Sequence, residues 1–349
     1  MKHWLLILLC LLFGSTIAQP TNILFVGNSY TQMNNLYKVY QNLANSKGKK
    51  VFADTLAVGG SSLKGHVLRD NTYKKFKARS WDYVILQGFS RELSVDSSII
   101  STETIPYAQQ LIDSIKKYNP CVSIYYYMTW GYAQGFKDSI TLDSYEMMQE
   151  RIQKGYLQLS DATGKFPIAP VGMVWKQVRL KYPELNLYAP DESHPSPYGS
   201  YLAACTFYSS LYKESPLNGE FPVQIEAAIA ENIQKSAAEY VLTYYPKYNL
   251  DTIQLSSEVV GTKIDFSIRE EWLGITLYNS SPIADQYFWD FGNGKTSNQR
   301  NPKHYYASPG KYFVTLHIRK GCNWFTLKKP VIVSNKVKHA NRSKTSGKN

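Results

Sequence analysis

The chain has little cysteine, four residues in 349, and what there is does not pair neatly. Cys10 lies inside the first apolar run, which leaves Cys121, Cys205 and Cys322, an odd number spread over both ends of the remaining chain. Such a count argues against a disulfide framework. Cys205, in the apolar stretch "YLAACTFY", reads as a buried thiol. Histidine is also scarce, at six, and no Cys-x-x-Cys or His-x-x-x-His spacing occurs. No metal site and no cofactor are therefore expected. After residue 13 no stretch approaches the roughly 20 apolar residues of a membrane-spanning helix, so no transmembrane segment is expected. Acidic side chains are outnumbered, 27 against 39 Lys and Arg. Five of those bases, and no acid, sit in the final "KVKHANRSKTSGKN". The lysines at Lys47–Lys50 and Lys74–Arg79 read as solvated helix ends, without a nucleic-acid motif around them. Nucleic acid is not an expected partner.

The one long apolar run that is present opens the chain. Met1-Lys2-His3 is followed by Trp4 to Phe13 and by the small residues Ser15 to Ala18. This pattern is that of a secretory signal peptide over residues 1–18, removed on export to the periplasm or the medium. From 19 to 247 short apolar runs alternate with helical periodicity. Strands are expected at Ile23–Val26, Val51–Ala57, Tyr83–Leu86, Val122–Tyr127 and Phe166–Ala169. Helices are expected from Leu36 towards Gly48 and at Thr104–Lys117, Ser144–Leu159, Pro197–Tyr212 and Val223–Tyr244. That alternation predicts an α/β domain, a parallel sheet between helical layers. From 253 to 335 the period changes to two, with turn dipeptides such as Asn293-Gly294, which predicts a small antiparallel β-sandwich. The basic segment 336–349 completes the chain as a disordered tail.

Polar residues gather where the first domain's strands end. Gly27-Asn28-Ser29 follows the first strand, Gly59-Gly60 and then His66 follow the second, and Gln87 ends the third. Asp191 and His194 lie later, in "DESHPSPYGSYL". A serine hydroxyl becomes a nucleophile only with a base within hydrogen-bond reach, and histidine suits that role. The base needs an acceptor on its other ring nitrogen, which Asp191 offers from three residues upstream. The developing oxyanion needs fixed N–H donors: the amides of Ser29, Gly59 and Gly60, and the side-chain amide of Gln87. Asn28, His66 and Trp130 are candidates to line the substrate pocket. Each residue taken singly has a structural reading: Ser29 as a helix cap, His194 as a loop histidine, Gln87 as an amide that ties down backbone.

Taken together, "ILFVGNSYT", "AVGGSSL" and "DESHPSPYGSYLAACTFY" resemble the first, second and last blocks of the SGNH, or GDSL-like, hydrolase superfamily over residues 20 to 215. The resemblance implies a flavodoxin-like α/β/α fold, Ser29 as nucleophile, His194 as base and Asp191 as its orienter. Two positions depart from the family pattern: Asn28 stands where Asp is usual, and "LQGFS" replaces Gly-x-Asn-Asp, so Gln87 is the expected third oxyanion donor. "YFWDFGNGKTSNQRNPKHYYASPGKYFVTLHI" resembles a PKD (polycystic kidney disease) domain. That resemblance implies a non-catalytic spacer or an appendage that contacts polysaccharide or protein, with Trp289 and Phe291 in its core. The expectation is an exported, metal-independent serine esterase acting on small acyl esters, including O-acetyl groups on carbohydrate. The alternative is a secreted glycan- or surface-binding protein on the same fold that has lost turnover.

Overall fold

The computed structural model describes residues 21–136, 143–250, 264–284 and 286–335. The expected leader and basic tail lie outside these. The chain divides into two compact units, 1–253 and 254–349.

In the first unit the strands are β1 (Thr21–Gly27), β2 (Val51–Ala57), β3 (Tyr83–Leu86), β4 (Ser123–Tyr127) and β5 (Ile168–Ala169). They form one parallel sheet in the order β2-β1-β3-β4-β5, the flavodoxin-like order. The helices are α1 (Ser29–Gln32), α2 (Leu36–Ser46), α3 (Leu63–Val67), α4 (Asp70–Lys77), α5 (Ser97–Glu103), α6 (Ile105–Tyr118), α7 (Tyr145–Thr163), α8 (Val171–Lys181), α9 (Pro197–Tyr212) and α10 (Ala227–Tyr244). Ile23 to Val26 are wholly buried, as a strand covered on both faces requires. The chain leaves β1 for β2 on one side, and β3 then pairs on the other. The carboxyl end of β1 is thus the topological switch point, where ligands bind in such sheets.

Helix α9 holds the floor beneath that point. Its Gly199–Leu211 run is buried without a break, because small residues (Gly199, Ser200, Ala203, Ala204, Ser209, Ser210) let α2, α8 and α10 pack around it. Cys205 is a free thiol in this helix, and burial pushes its pKa well up. Cys121, by contrast, is disulfide-bonded. Helix α8 was not expected. Val171, Val174, Trp175 and Val178 supply its buried stripe, a spacing legible directly after Pro170.

The second unit holds β6 (Phe266–Glu271), β7 (Gly274–Asn279), β8 (Gln286–Asp290), β9 (Thr296–Ser297), β10 (Lys303–Tyr305), β11 (Gly310–Lys320) and β12 (Asn323–Val333). They pair antiparallel in two sheets, β10-β7-β6 and β12-β11-β8-β9. Trp289 and Phe291 are core residues, packed with Phe266, Leu277, Val314 and Leu316. The left-handed conformations at the expected hairpin fall on Gly292 and Gly294 (φ 78° and 77°) rather than on Asn293 between them. Cys322 is disulfide-bonded.

Candidate active site

The site begins where β1 stops. A Cβ on Gly27 would stand 2.4 Å from both Gln87 Oε1 and Thr31 Oγ1, so only glycine lets the strand end against those two side chains. Asn28 then caps α1, its Oδ1 accepting from Tyr30 N. This turn sets Ser29, half-buried, at the first position of α1. The hydroxyl of Ser29 lies 2.8 Å from His194 Nε2, and the other ring nitrogen, Nδ1, is hydrogen-bonded to Asp191 Oδ2. With the Nδ1 proton directed at Asp191, Nε2 is left as an acceptor for the serine hydroxyl.

Asp191 is exposed but well occupied. Its Oδ1 accepts from the backbone N–H groups of Ser193 (3.1 Å) and His194 (2.9 Å). Partial burial raises its pKa, but those two donors and the imidazole outweigh it and hold the carboxyl below the usual range. The loop has no regular secondary structure and depends on aromatic neighbours. Trp130 Nε1 donates to Ser193 O (3.0 Å), and the Tyr30 hydroxyl meets Ser193 Oγ at 2.8 Å. The Tyr30 and Trp130 rings stack 4.7 Å apart, and Trp130 stacks on Trp175 at 3.9 Å. Tyr30 also packs edge-on against the His194 ring. Burial pushes the Tyr30 phenol's pKa far up, so it stays a neutral hydrogen-bonding group.

Gly59 and Gly60 lie in an exposed turn closed by Ser61 N donating to Val58 O (3.0 Å), with Gly60 at φ 67°. That conformation favours glycine. The turn is tied to β1 by Val58 N donating to Gly27 O. Among the described residues, the N–H groups of Ser29, Gly59 and Gly60 have no protein acceptor.

Four expected site residues serve the scaffold instead. Gln87 is wholly buried. Its Nε2 donates to Asn28 Oδ1 (2.9 Å) and Gly88 O (2.6 Å), and its Oε1 accepts from Asn28 N (3.0 Å) and Thr31 Oγ1 (2.7 Å). Both amide hydrogens are committed, so Gln87 is not an oxyanion donor here. Asn28 is 2% exposed; its Nδ2 donates to Ser61 O and Gly88 O, which leaves nothing to line a pocket with. His66 is buried beneath the turn with Nε2 on Gly27 O (2.9 Å). Burial lowers its pKa, and it does not reach the surface. Trp130, also fully buried, acts through Ser193. Sequence reasoning missed Tyr30, Ser193 and Glu92. Glu92 accepts from Phe89 N (2.7 Å) and Leu63 N and so joins the loop after β3 to the start of α3. Only the adjacency of Tyr30 to Ser29 and of Ser193 to His194 would have signalled the first two.

Among the described residues no group of three or more His, Cys, Asp or Glu is placed to hold a metal, and no helix is long and apolar enough to cross a membrane. The PKD domain family model matches residues 278–329. A 69-residue stretch is 33% identical to the pre-pro-metalloprotease PrtV of Vibrio cholerae serotype O1, covering 19% of this chain and 8% of that protein. The chain therefore spans under a tenth of the length of the curated relative it matches. A DUF4886 family protein from Bacteroides uniformis superposes with a TM-score of 0.54 at 18% identity, over 68% of this chain and 99% of that one. An acetyl xylan esterase, AlAXEase, gives 0.43 at 17% identity, over 54% and 99%. At these identities the likeness is one of fold. The first unit thus shares the α/β fold of the Bacteroides uniformis protein, and residues 278–329 match the PKD domain model.

Proposed function

We propose that the first unit is a serine esterase of the SGNH type, acting after export on small acyl esters, with O-acetyl groups on carbohydrate as the substrate class. One observation carries the reading: Ser29 Oγ, His194 Nε2, His194 Nδ1 and Asp191 form a continuous hydrogen-bonded line at the switch point of the sheet. Ser29 Oγ attacks the ester carbonyl while His194 Nε2 takes its proton, and Asp191 stabilises the imidazolium. The tetrahedral oxyanion is met by the N–H of Ser29 and one from Gly59 or Gly60, the amides that lack protein acceptors. His194 then returns the proton to the departing alcohol, and water, deprotonated by the same nitrogen, releases the acid from the acyl-serine. The carbohydrate part of the reading draws on the PKD-like domain, a kind of appendage suited to polysaccharide contact.

The test is a hydrolysis panel of p-nitrophenyl esters of increasing acyl length, followed by acetylated sugars, on the intact protein and on Ser29→Ala. Turnover that favours acetyl and disappears in the variant is the expected result. A chain inert on the whole panel would return the protein to the glycan-binding alternative.

A further inference from the structure

Beyond Ser29 the chain passes through Asn34 and Asn35, both at positive φ (53° and 52°). Asparagine adopts that conformation at lower cost than other residues with a Cβ, and two in succession redirect the backbone between α1 and α2. Asn34 Nδ2 donates to Pro195 O (3.1 Å) and to Ser200 Oγ (2.9 Å). The turn is thus fixed to the residue next to His194.

A pocket of about 320 Å³ opens beside this turn, between the start of α2 and residues 220–223. Its two walls differ in chemistry. Asn35, Lys38 and Asn42 present exposed amides and an ammonium on one side. Lys38 has no carboxylate partner among the described residues, while Asn42 donates to Glu220 Oε1 (3.4 Å). On the other side the Glu220 carboxylate sits at one end, and Phe221, Pro222 and Val223 present apolar surface, with Val223 fully exposed.

A fatty acyl chain calls for an apolar lining throughout, and a phosphate calls for more than one cation. A pyranose has hydroxyls around its rim and C–H groups on its faces, which suits one hydrogen-bonding wall and one apolar wall. We propose that this pocket is a subsite for a sugar residue of the ester's alcohol portion, which would make the substrate an O-acylated oligosaccharide rather than a simple ester. The inference rests on the esterase reading above for what it positions, but not for whether sugar binds.

The test has two arms. First, xylotetraose without acetyl groups is titrated calorimetrically into the Ser29→Ala protein, and into the same protein carrying Val223→Arg or Lys38→Ala in addition. Val223→Arg places a bulky side chain at the pocket mouth from a position that packs against nothing. Binding is expected, weakened tenfold or more by Val223→Arg and several-fold by Lys38→Ala. Second, with Ser29 intact, the ratio of kcat/KM on acetylated xylotetraose to kcat/KM on p-nitrophenyl acetate should fall about tenfold in Val223→Arg, through KM. No binding, or binding and ratio unchanged in both variants, overturns the subsite. Binding that depends on Val223 in a chain hydrolysing neither ester would support the subsite and remove the esterase reading, so the two fail separately.

Discussion

Gln87→Ala separates a scaffold role from a catalytic one. The side chain makes four hydrogen bonds in a site closed to water: Nε2 to Asn28 Oδ1 and Gly88 O, and Oε1 from Asn28 N and Thr31 Oγ1. Truncation leaves the Asn28 N–H and the Thr31 hydroxyl without this acceptor and opens a cavity beside Gly27. An unsatisfied buried polar group costs about 1–3 kcal/mol, and lost packing adds to that. A destabilisation of roughly 3–5 kcal/mol follows, a large share of the ~5–15 kcal/mol that holds a typical domain folded. Gln87→Glu should be worse, since a carboxylate oxygen would then face Asn28 Oδ1 and the Gly88 carbonyl. The assay pairs urea unfolding with ester turnover normalised to the folded fraction. The expected pattern is a lowered midpoint with kcat per folded molecule changed severalfold at most. A variant that unfolds within about 1 kcal/mol of the parent but loses a hundredfold in kcat would refute this and put the amide back at the oxyanion.

Ser29→Ala should reduce hydrolysis to background while moving the thermal midpoint little, because the half-buried hydroxyl makes one side-chain contact, to His194; turnover that survives would end the serine mechanism. In Asp191→Asn an amide nitrogen facing Nδ1 would turn the imidazole to its other tautomer, and kcat should fall by roughly 10⁴ with the fold intact; a loss under tenfold would show that Asp191 does not set the tautomer. That carboxyl's pKa is depressed in the fold, so its stabilisation is present above the ordinary aspartate range and is lost as pH falls through the lowered value. Glu92 runs the other way: burial pushes it up to about 7, against the N–H groups of Phe89 and Leu63 and the Thr104 side chain, which lower it. The folded state therefore keeps a proton that the unfolded state releases. The contribution is present below pH 4.5, the unshifted value, and is lost as pH rises towards 7. Urea midpoints at pH 5 and 8 should diverge in the parent more than in Glu92→Gln, and equal divergence would contradict this.

The fold was legible because the inner strands of its sheet are buried on both faces, so Ile23–Val26 and Tyr83–Leu86 announce themselves as apolar runs between turns. The short helices α3, α4 and α5 escaped, being too brief for periodicity to build up. Ser29, Asp191 and His194 were legible from residue type, order and the three-residue spacing of the last two. What the sequence does not carry is which polar side chains of a strand-end cluster face the cleft and which face inward. Asn28, His66, Gln87 and Trp130 are of the right type and at the right sheet edge, yet each is buried and hydrogen-bonded to the turn or the histidine loop. Burial decides between those roles, and burial depends on packing from elements far away in sequence.

The two departures from the family pattern, Asn28 and Gln87, are better understood as a single feature. Read one at a time, each removes a group that an SGNH site normally has, and together they supported a chain without turnover. In the fold they are partners: Gln87 Nε2 donates to Asn28 Oδ1, and Asn28 N donates back to Gln87 Oε1. An aspartate at 28 would still accept from Tyr30 N and Gln87, but it would lose the donor to Ser61 O and Gly88 O. It would then hold a buried charge against two carbonyl oxygens. An asparagine at 87 is one methylene shorter, too short to span from Thr31 to Gly88 as Gln87 does. The pair therefore locks the turn that presents Ser29 by neutral, reciprocal amide hydrogen bonds. None of these atoms is needed at the oxyanion if the amides of Ser29 and the Gly59-Gly60 turn serve there. On this argument the departures alter how Ser29 is held and leave the proposed chemistry intact.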